Sequence, residues 1–213
     1  LSKDFPRIPF PTSVEAFQTM SAFGKRLAGF HLMTDPTTAR FQRQVTNIAT
    51  ATTMPYTYPD PTPTDPDHET TVPTYKIGIY HWIPHTDNPE LGDLWFNAKK
   101  KTKKADDGTV TVTYQTDPTA LHVDNVPKAV WEFEIGGIQQ LDQWLYARRY
   151  DKDPKKDHLT RGITQDELKY FLRVINAITD TIALLPQLDA AYTGIAGDIA
   201  EIVIPADSSS TLV

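Results

Sequence analysis

The densest chemistry in this sequence is a run of charge. Lys99, Lys100, Lys101, Lys103 and Lys104 place five ammonium groups within six residues. Each is a compact point charge with three rotatable donors, suited to phosphate oxygens. Two readings stand side by side: a solvated turn that blunts a sheet edge, and a finger that touches phosphates. Other constellations lack the spacing their chemistry needs. His81 and His85 sit four residues apart, which on a helix would suit zinc. Here they span a strand end and Pro84, so coincidence is the better reading. Asp60, Asp65, Asp67 and Glu69 are broken up by prolines and miss the spacing of a calcium loop. Asn88-Pro89 is followed by Glu90-Leu91, without the aromatic residue of an amino-methyltransferase site. Gly136-Gly137 does not make a dinucleotide loop, and neither a Walker A pattern nor a G-x-S-x-G elbow is present. We therefore expect no catalytic residue and no metal site.

The elements that must position these groups follow from periodicity. Val130 to Ile135 alternates apolar and charged residues and predicts a strand. Gly136-Gly137 breaks it, and Ile138, Leu141, Trp144 or Leu145, and Arg148 predict a short helix ending in Arg148 and Arg149. Trp131 and Trp144 are expected to pack that strand on that helix. Phe5 to Pro11, with three prolines, predicts an extended strap. Thr12-x-x-Glu15 reads as a capping box for a helix through about Met33, with Phe17, Met20, Phe23, Leu27, Phe30 and His31 on one face. Gly24 suggests close approach of another backbone, and His31 a semi-buried histidine with a partner. Met54 to Pro73, rich in Pro, Thr and Asp, predicts an exposed loop. Tyr75 to Ile83 predicts a strand, and Pro84 to Asp93 a polar loop. A strand from Leu94 runs into the lysines, turns at Asp107-Gly108 and returns through Thr109 to Tyr114. Thr164-x-x-Glu167 caps a long helix carrying Leu168, Phe171, Leu172, Ile175, Ile178, Ile182 and Leu185, with Pro186 ending or kinking it.

Composition sets bounds on the whole. The 213 residues suffice for one sizeable domain or two small ones. The chain opens at Leu1, which suggests a piece of a longer or processed polypeptide. Without cysteine there is no disulfide framework and no thiolate metal site. No apolar run approaches the roughly 18 residues of a membrane span, and a cytoplasmic location is expected. The formal net charge of −6 argues against whole-surface nucleic-acid binding and leaves room for a local basic face.

The aromatic strand into Gly136-Gly137, then Leu141, Trp144-Leu145 and Arg148, a charged gap, and a helix with Val174-Ile175, Thr181 and Leu185-Pro186 form a pattern. It resembles the C-terminal specificity domain of type ISP and related single-chain restriction–modification enzymes. There the pattern reads as aromatic strand, (Asn/Gly)-Gly, an aromatic or Lys, then Trp-(Leu/Ile/Val)-x-x-Arg. Phe5-Pro6-Arg7-Ile8-Pro9, followed by Phe17, Gly24, Leu27 and His31-Leu32, is similar to the family's passage out of the methyltransferase core. The likeness covers the first thirty-odd residues and Val130 to about Leu188.

The resemblance implies a target recognition domain that grips double-stranded DNA beside an upstream methyltransferase domain of the same polypeptide. It implies that DNA adenine methyltransferase, ATPase and nuclease activities belong to the parent enzyme, with S-adenosylmethionine, ATP and Mg as that parent's cofactors. The fragment itself would be non-catalytic and without a cofactor. Charge and loop position select Lys99, Lys100, Lys101, Lys103 and Lys104 for phosphates, and His85, Asp87 and Asn88 in the Pro84 to Asn97 stretch for bases. Arg40 and Arg43 are further DNA-binding candidates. The rival class is a structural or protein-interaction module, and a weaker rival is a hydrolase with an unrecognised site. The expected fold is α+β: a strand-rich central sheet flanked by an N-terminal helix and a long C-terminal amphipathic helix. Residues 1–35 would form the strap and helix toward the upstream domain, 72–150 the strand-rich part and 160–190 the helical part of one unit spanning 1–213.

Overall fold

A computed structural model of the chain describes residues 10–34, 45–46, 53–59, 69–117, 119–149, 162–195 and 199–200. Its first half runs β1 (Phe10–Pro11), α1 (Val14–His31), β2 (Val45–Thr46), β3 (Thr53–Pro59), β4 (Glu69–Tyr75), β5 (Tyr80–Pro84), β6 (Leu91–Phe96) and β7 (Lys99–Lys104). The second half runs β8 (Val110–Gln115), β9 (His122–Pro127), α2 (Lys128–Trp131), β10 (Glu134–Ile135), β11 (Ile138–Gln139), α3 (Gln140–Tyr146), β12 (Ile163–Thr164), α4 (Gln165–Ile195) and β13 (Ile199–Ala200). The α+β class is as expected, with a central antiparallel sheet, an N-terminal helix and a long C-terminal helix.

The central sheet has the order β2-β9-β6-β5, antiparallel throughout. Along β6 the side chains alternate, with Gly92, Leu94 and Phe96 buried and Leu91, Asp93 and Trp95 half-buried. The buried parity meets α3 and α4. Phe96 lies 6.5 Å from the Phe171 ring of α4. The Tyr80 hydroxyl lies within hydrogen-bonding reach of Asp142 on α3, 3.1 Å from its carbonyl and 3.0 Å from its carboxylate. Burial, then that carboxylate, pushes the Tyr80 phenol far up from its ordinary value. Trp82 donates from Nε1 to the Val126 carbonyl of β9 at 2.9 Å, so its ring crosses β6 over Gly92. A Cβ on Gly92 would come within 2.6 Å of that ring and 2.5 Å of the Ile83 carbonyl oxygen.

Helix α4 is capped as its sequence predicts. Thr164 donates its amide to Glu167 Oε2 at 2.9 Å, and Glu167 returns its amide to Thr164 Oγ1 at 3.2 Å. Leu168, Phe171, Leu172, Ile175 and Ile178 are buried against the sheet and α3. A second stripe, Ala177 and Leu184, meets Phe23, Leu27 and Phe30 of α1 in a smaller cluster. Arg173 of α4 donates to the Met33 carbonyl just past the end of α1 at 2.9 Å, so the two helices run antiparallel. Pro186 does not end α4, which continues to Ile195.

Several expectations are corrected. Residues 53–59 and 69–75 form an antiparallel hairpin, with Tyr56 opposite Val72, where a loop was expected. An antiparallel ladder draws on the amides of alternate pairs. Pro55, Pro59 and Pro73 share one parity of this register, so the ladder can form without an amide from any of them. Residues 130–131 belong to the helical turn α2, and not to a strand. Gly136 and Gly137, at φ 61 and 77, close the two-residue hairpin β10–β11. Positive φ at both central positions matches the twist of the flanking strands and suits glycine. The cap of α1 is Ser13, whose hydroxyl accepts from the Ala16 amide at 3.0 Å, and not Thr12. Nothing lies within 4 Å of a Cβ built on Gly24, and His31 is exposed. Arg148 and Arg149 fall just beyond α3 rather than in its last turn. The residues of the strap before Phe10 and the segment Asp151 to Arg161 lie outside the described residues.

Candidate nucleic-acid interface

The lysines do not sit at a hairpin tip; with Thr102 among them they run the length of β7. Asn97, with φ 68, turns the chain out of β6, and its Nδ2 donates to the Lys76 carbonyl at 3.0 Å. Strand β7 then pairs with β8 in full register from Lys99↔Gln115 to Lys104↔Val110, as a two-stranded sheet of their own. The turn is closed by Gly108 at φ 86, by the Gly108 amide donating to the Ala105 carbonyl, and by Asp107 Oδ1 accepting from the Thr109 amide at 2.8 Å. That bond and the Thr109 hydroxyl hold the Asp107 carboxyl below its usual range. The tip therefore carries the negative charge of Asp106 and Asp107, and the positive charge lies along the flank. All six residues of β7 are exposed.

Strand parity divides the lysines between two faces. Lys99, Lys101 and Lys103 share a face with Gln115, Thr113 and Thr111, every one of them hydrophilic. Lys100 and Lys104 share the other with Thr102, Tyr114, Val112 and Val110, the two valines 41% and 55% exposed. A shallow cavity of about 360 Å³ opens at the ribbon's base, between Asn97, Lys99, Gln115, Thr116 and Asp117.

The ribbon joins the central sheet on the side away from the helices. There the opposite parity of the strands sets rings in a row. Tyr114 of β8 lies 5.3 Å from His81 of β5; His81 pairs across strands with Trp95; and Trp95 stacks on His122 of β9 at 3.8 Å and 16°. Burial, then the charge of Lys100, lowers the His81 imidazole from its ordinary value.

The other candidates lie elsewhere. Pro84 pairs with Gly92 and Tyr80 with Phe96, so the His85–Glu90 turn closes the end of β5–β6 opposite the one from which β7 departs. The structure thus does not bring His85, Asp87 and Asn88 beside the lysines. The turn is also shorter than the Pro84 to Asn97 stretch expected from sequence, because 91–96 is strand β6. His85 commits Nε2 to Asp93 Oδ1 at 2.8 Å, and Asn88 braces the turn by accepting from the Glu90 amide at 3.1 Å. Asp87 is exposed. Arg40 and Arg43 lie outside the described residues. Arg148 stacks on Trp144 at 4.0 Å and lies 3.6 Å from Glu167, which ties α3 to α4.

Sequence reasoning passed over a group on the same sheet face. Asp93, His122 and Asp124 bring one carboxylate or imidazole ligand atom each to within 4.8 Å of one another. His122-x-Asp124 was visible as one face of a strand, but Asp93 joins it only through sheet register.

A family model described as the type ISP C-terminal specificity domain matches residues 1–176 of the chain. No curated protein and no solved structure matches it. Among the described residues no helix is long and apolar enough to cross a membrane.

Proposed function

The chain belongs to the type ISP C-terminal specificity domain family, which gives it a specificity role in restriction–modification, and on that premise we propose that it reads duplex DNA with the β7–β8 ribbon as its phosphate-contacting arm. The observation that carries this reading is a two-stranded ribbon, exposed along its whole lysine strand and unpaired with any other described strand. A ribbon of this width fits the major groove, where base edges are distinguishable. Lys99, Lys101 and Lys103 would meet phosphates, and Thr111, Thr113 and Gln115 beside them supply neutral donors and acceptors. The acidic tip would point away from the backbone. Asp87 and Asn88 remain proposed DNA contacts on another part of the surface, and Arg40 and Arg43 remain proposed contacts from the sequence alone; His85, bound to Asp93, serves better as a brace for its turn.

The proposal extends to the wider polypeptide. An upstream methyltransferase domain would present the modified base, and S-adenosylmethionine, ATP and Mg would be that enzyme's cofactors. Val14 and Phe17 of α1 are 66% and 51% exposed, which suits a face turned toward another domain.

The test is filter binding of mixed duplex DNA at low and moderate salt. Binding that falls steeply with salt supports the reading, because released counterions drive it. Binding absent at low salt overturns it in favour of a protein-interaction module.

A further inference from the structure

The Asp93–His122–Asp124 group has the supports of a metal site, and none of the DNA reading depends on it. His122 is 8% exposed and presents both ring nitrogens to oxygen: Nδ1 lies 3.1 Å from the Ala120 carbonyl, and Nε2 3.0 Å from Asp124 Oδ1. A neutral imidazole has one N–H and one lone pair. In either neutral tautomer, one of these contacts sets a lone pair against an oxygen. With Nδ1–H donated to the backbone carbonyl, Nε2 presents a lone pair that a cation would satisfy. That is the usual arrangement of a metal-binding histidine, whose second nitrogen donates to a carbonyl and fixes the ring.

The carboxylates are oriented from outside the group in the same manner. Asp124 Oδ2 accepts from the Thr46 hydroxyl of β2 at 2.6 Å. Asp93 Oδ1 accepts from the Asn125 amide at 3.0 Å and meets His85 Nε2 at 2.8 Å. Both contacts use Oδ1. Asp93 is also the residue at which the β6–β9 register shifts, between Gly92 and Leu94. Such bulges re-aim a side chain. Two carboxylates carry two negative charges, which a divalent ion offsets.

We propose that Asp93, His122 and Asp124 bind a divalent first-row transition ion, Zn²⁺ or Mn²⁺, that fastens the bulge of β9 to Asp93 of β6 beside the His85–Glu90 turn. The mixed nitrogen and oxygen donors favour these ions over Mg²⁺ or Ca²⁺, which take oxygen. Three protein ligands leave positions open for water.

The experiment is calorimetric titration of the chelator-treated 213-residue chain with Zn²⁺, Mn²⁺ and Mg²⁺ separately, alongside thermal melts. One Zn²⁺ or Mn²⁺ per chain should bind and raise the Tm, with Mg²⁺ much weaker. His122→Asn and Asp124→Asn should abolish binding. Thr46→Val keeps every ligand and should weaken binding about 10- to 100-fold through the lost outer hydrogen bond. Should His122→Asn fail to fold, Thr46→Val and Asp93→Asn, checked by circular dichroism, carry the test. Absence of stoichiometric binding overturns the proposal. Binding that survives all the substitutions places the ion elsewhere and overturns it equally. Because Lys100 and Lys101 are not ligands, a Lys100→Ala/Lys101→Ala variant should bind the ion unchanged, which separates this site's failure from that of the ribbon.

Discussion

Replacing Lys99, Lys101 and Lys103 together by alanine removes the cationic flank that the ribbon's register creates. Each lysine–phosphate contact contributes about 0.9 to the slope of log affinity against log salt, so the triple variant should lose about 2.7 from that slope. Over the interval from about 50 to 200 mM salt this corresponds to roughly 40-fold less salt sensitivity. The three side chains are exposed, so stability should move by no more than about 0.5 kcal/mol each. The comparison is Lys100→Ala/Lys104→Ala on the opposite face, expected to change the slope by less than about 0.9 in total. Equilibrium binding of a labelled duplex across a salt series reads both. A slope unchanged in the triple variant discards the ribbon as a DNA contact. An equal loss per lysine on both faces refutes the face assignment and leaves only unspecific attraction.

The remaining predictions concern the scaffold. Phe171 is fully buried between the sheet and α3, so Phe171→Ala should lower stability by about 3–5 kcal/mol in urea denaturation. Trp144 packs at 4.6 Å on that ring but is half-buried, and Trp144→Ala should cost only about 2–3 kcal/mol; an unchanged midpoint would remove Trp144 from the core. Thr164→Ala breaks the reciprocal cap of α4 and should cost about 1 kcal/mol in the same assay, with no loss if the cap is idle. Folding lowers His81 from 6.5, so below that pH the unfolded chain binds a proton that the folded chain refuses. Stability should therefore decline as pH falls from about 6.5 through the folded value and level off beneath it, and His81→Gln should flatten that decline; identical pH profiles would refute it.

The elements that sequence located well are those whose cues are local. The Thr164–Glu167 cap and the buried spacing of α4 need only neighbours three and four residues apart. Asp107-Gly108 dictates its own turn. The cues that misled were local too, but were outweighed. Val130-Trp131 alternates like a strand, yet α2 buries Val130 beside α4. The Thr- and Pro-rich residues 53–59 read as a loop, yet they pair with 69–75 through a register that spares their prolines. Ser13 and Thr12 are both good caps, and sequence does not rank adjacent candidates.

For the candidate interface the division is the same. Five lysines in six residues, a turn after them and an alternating return strand were enough to specify a cationic ribbon, because charge, turn chemistry and strand period all act over a few residues. Which lysines share a face, and that the His85–Glu90 turn lies at the far end of β5–β6 from them, follow from pairing register. Asp93, His122 and Asp124 show the point most sharply: their ligand atoms lie within 4.8 Å although Asp93 and Asp124 are 31 positions apart. A bulge in one strand and the pairing of two distant segments put them there, and such long-range pairing is set by burial of the whole sheet against α3 and α4, which no short stretch of sequence contains.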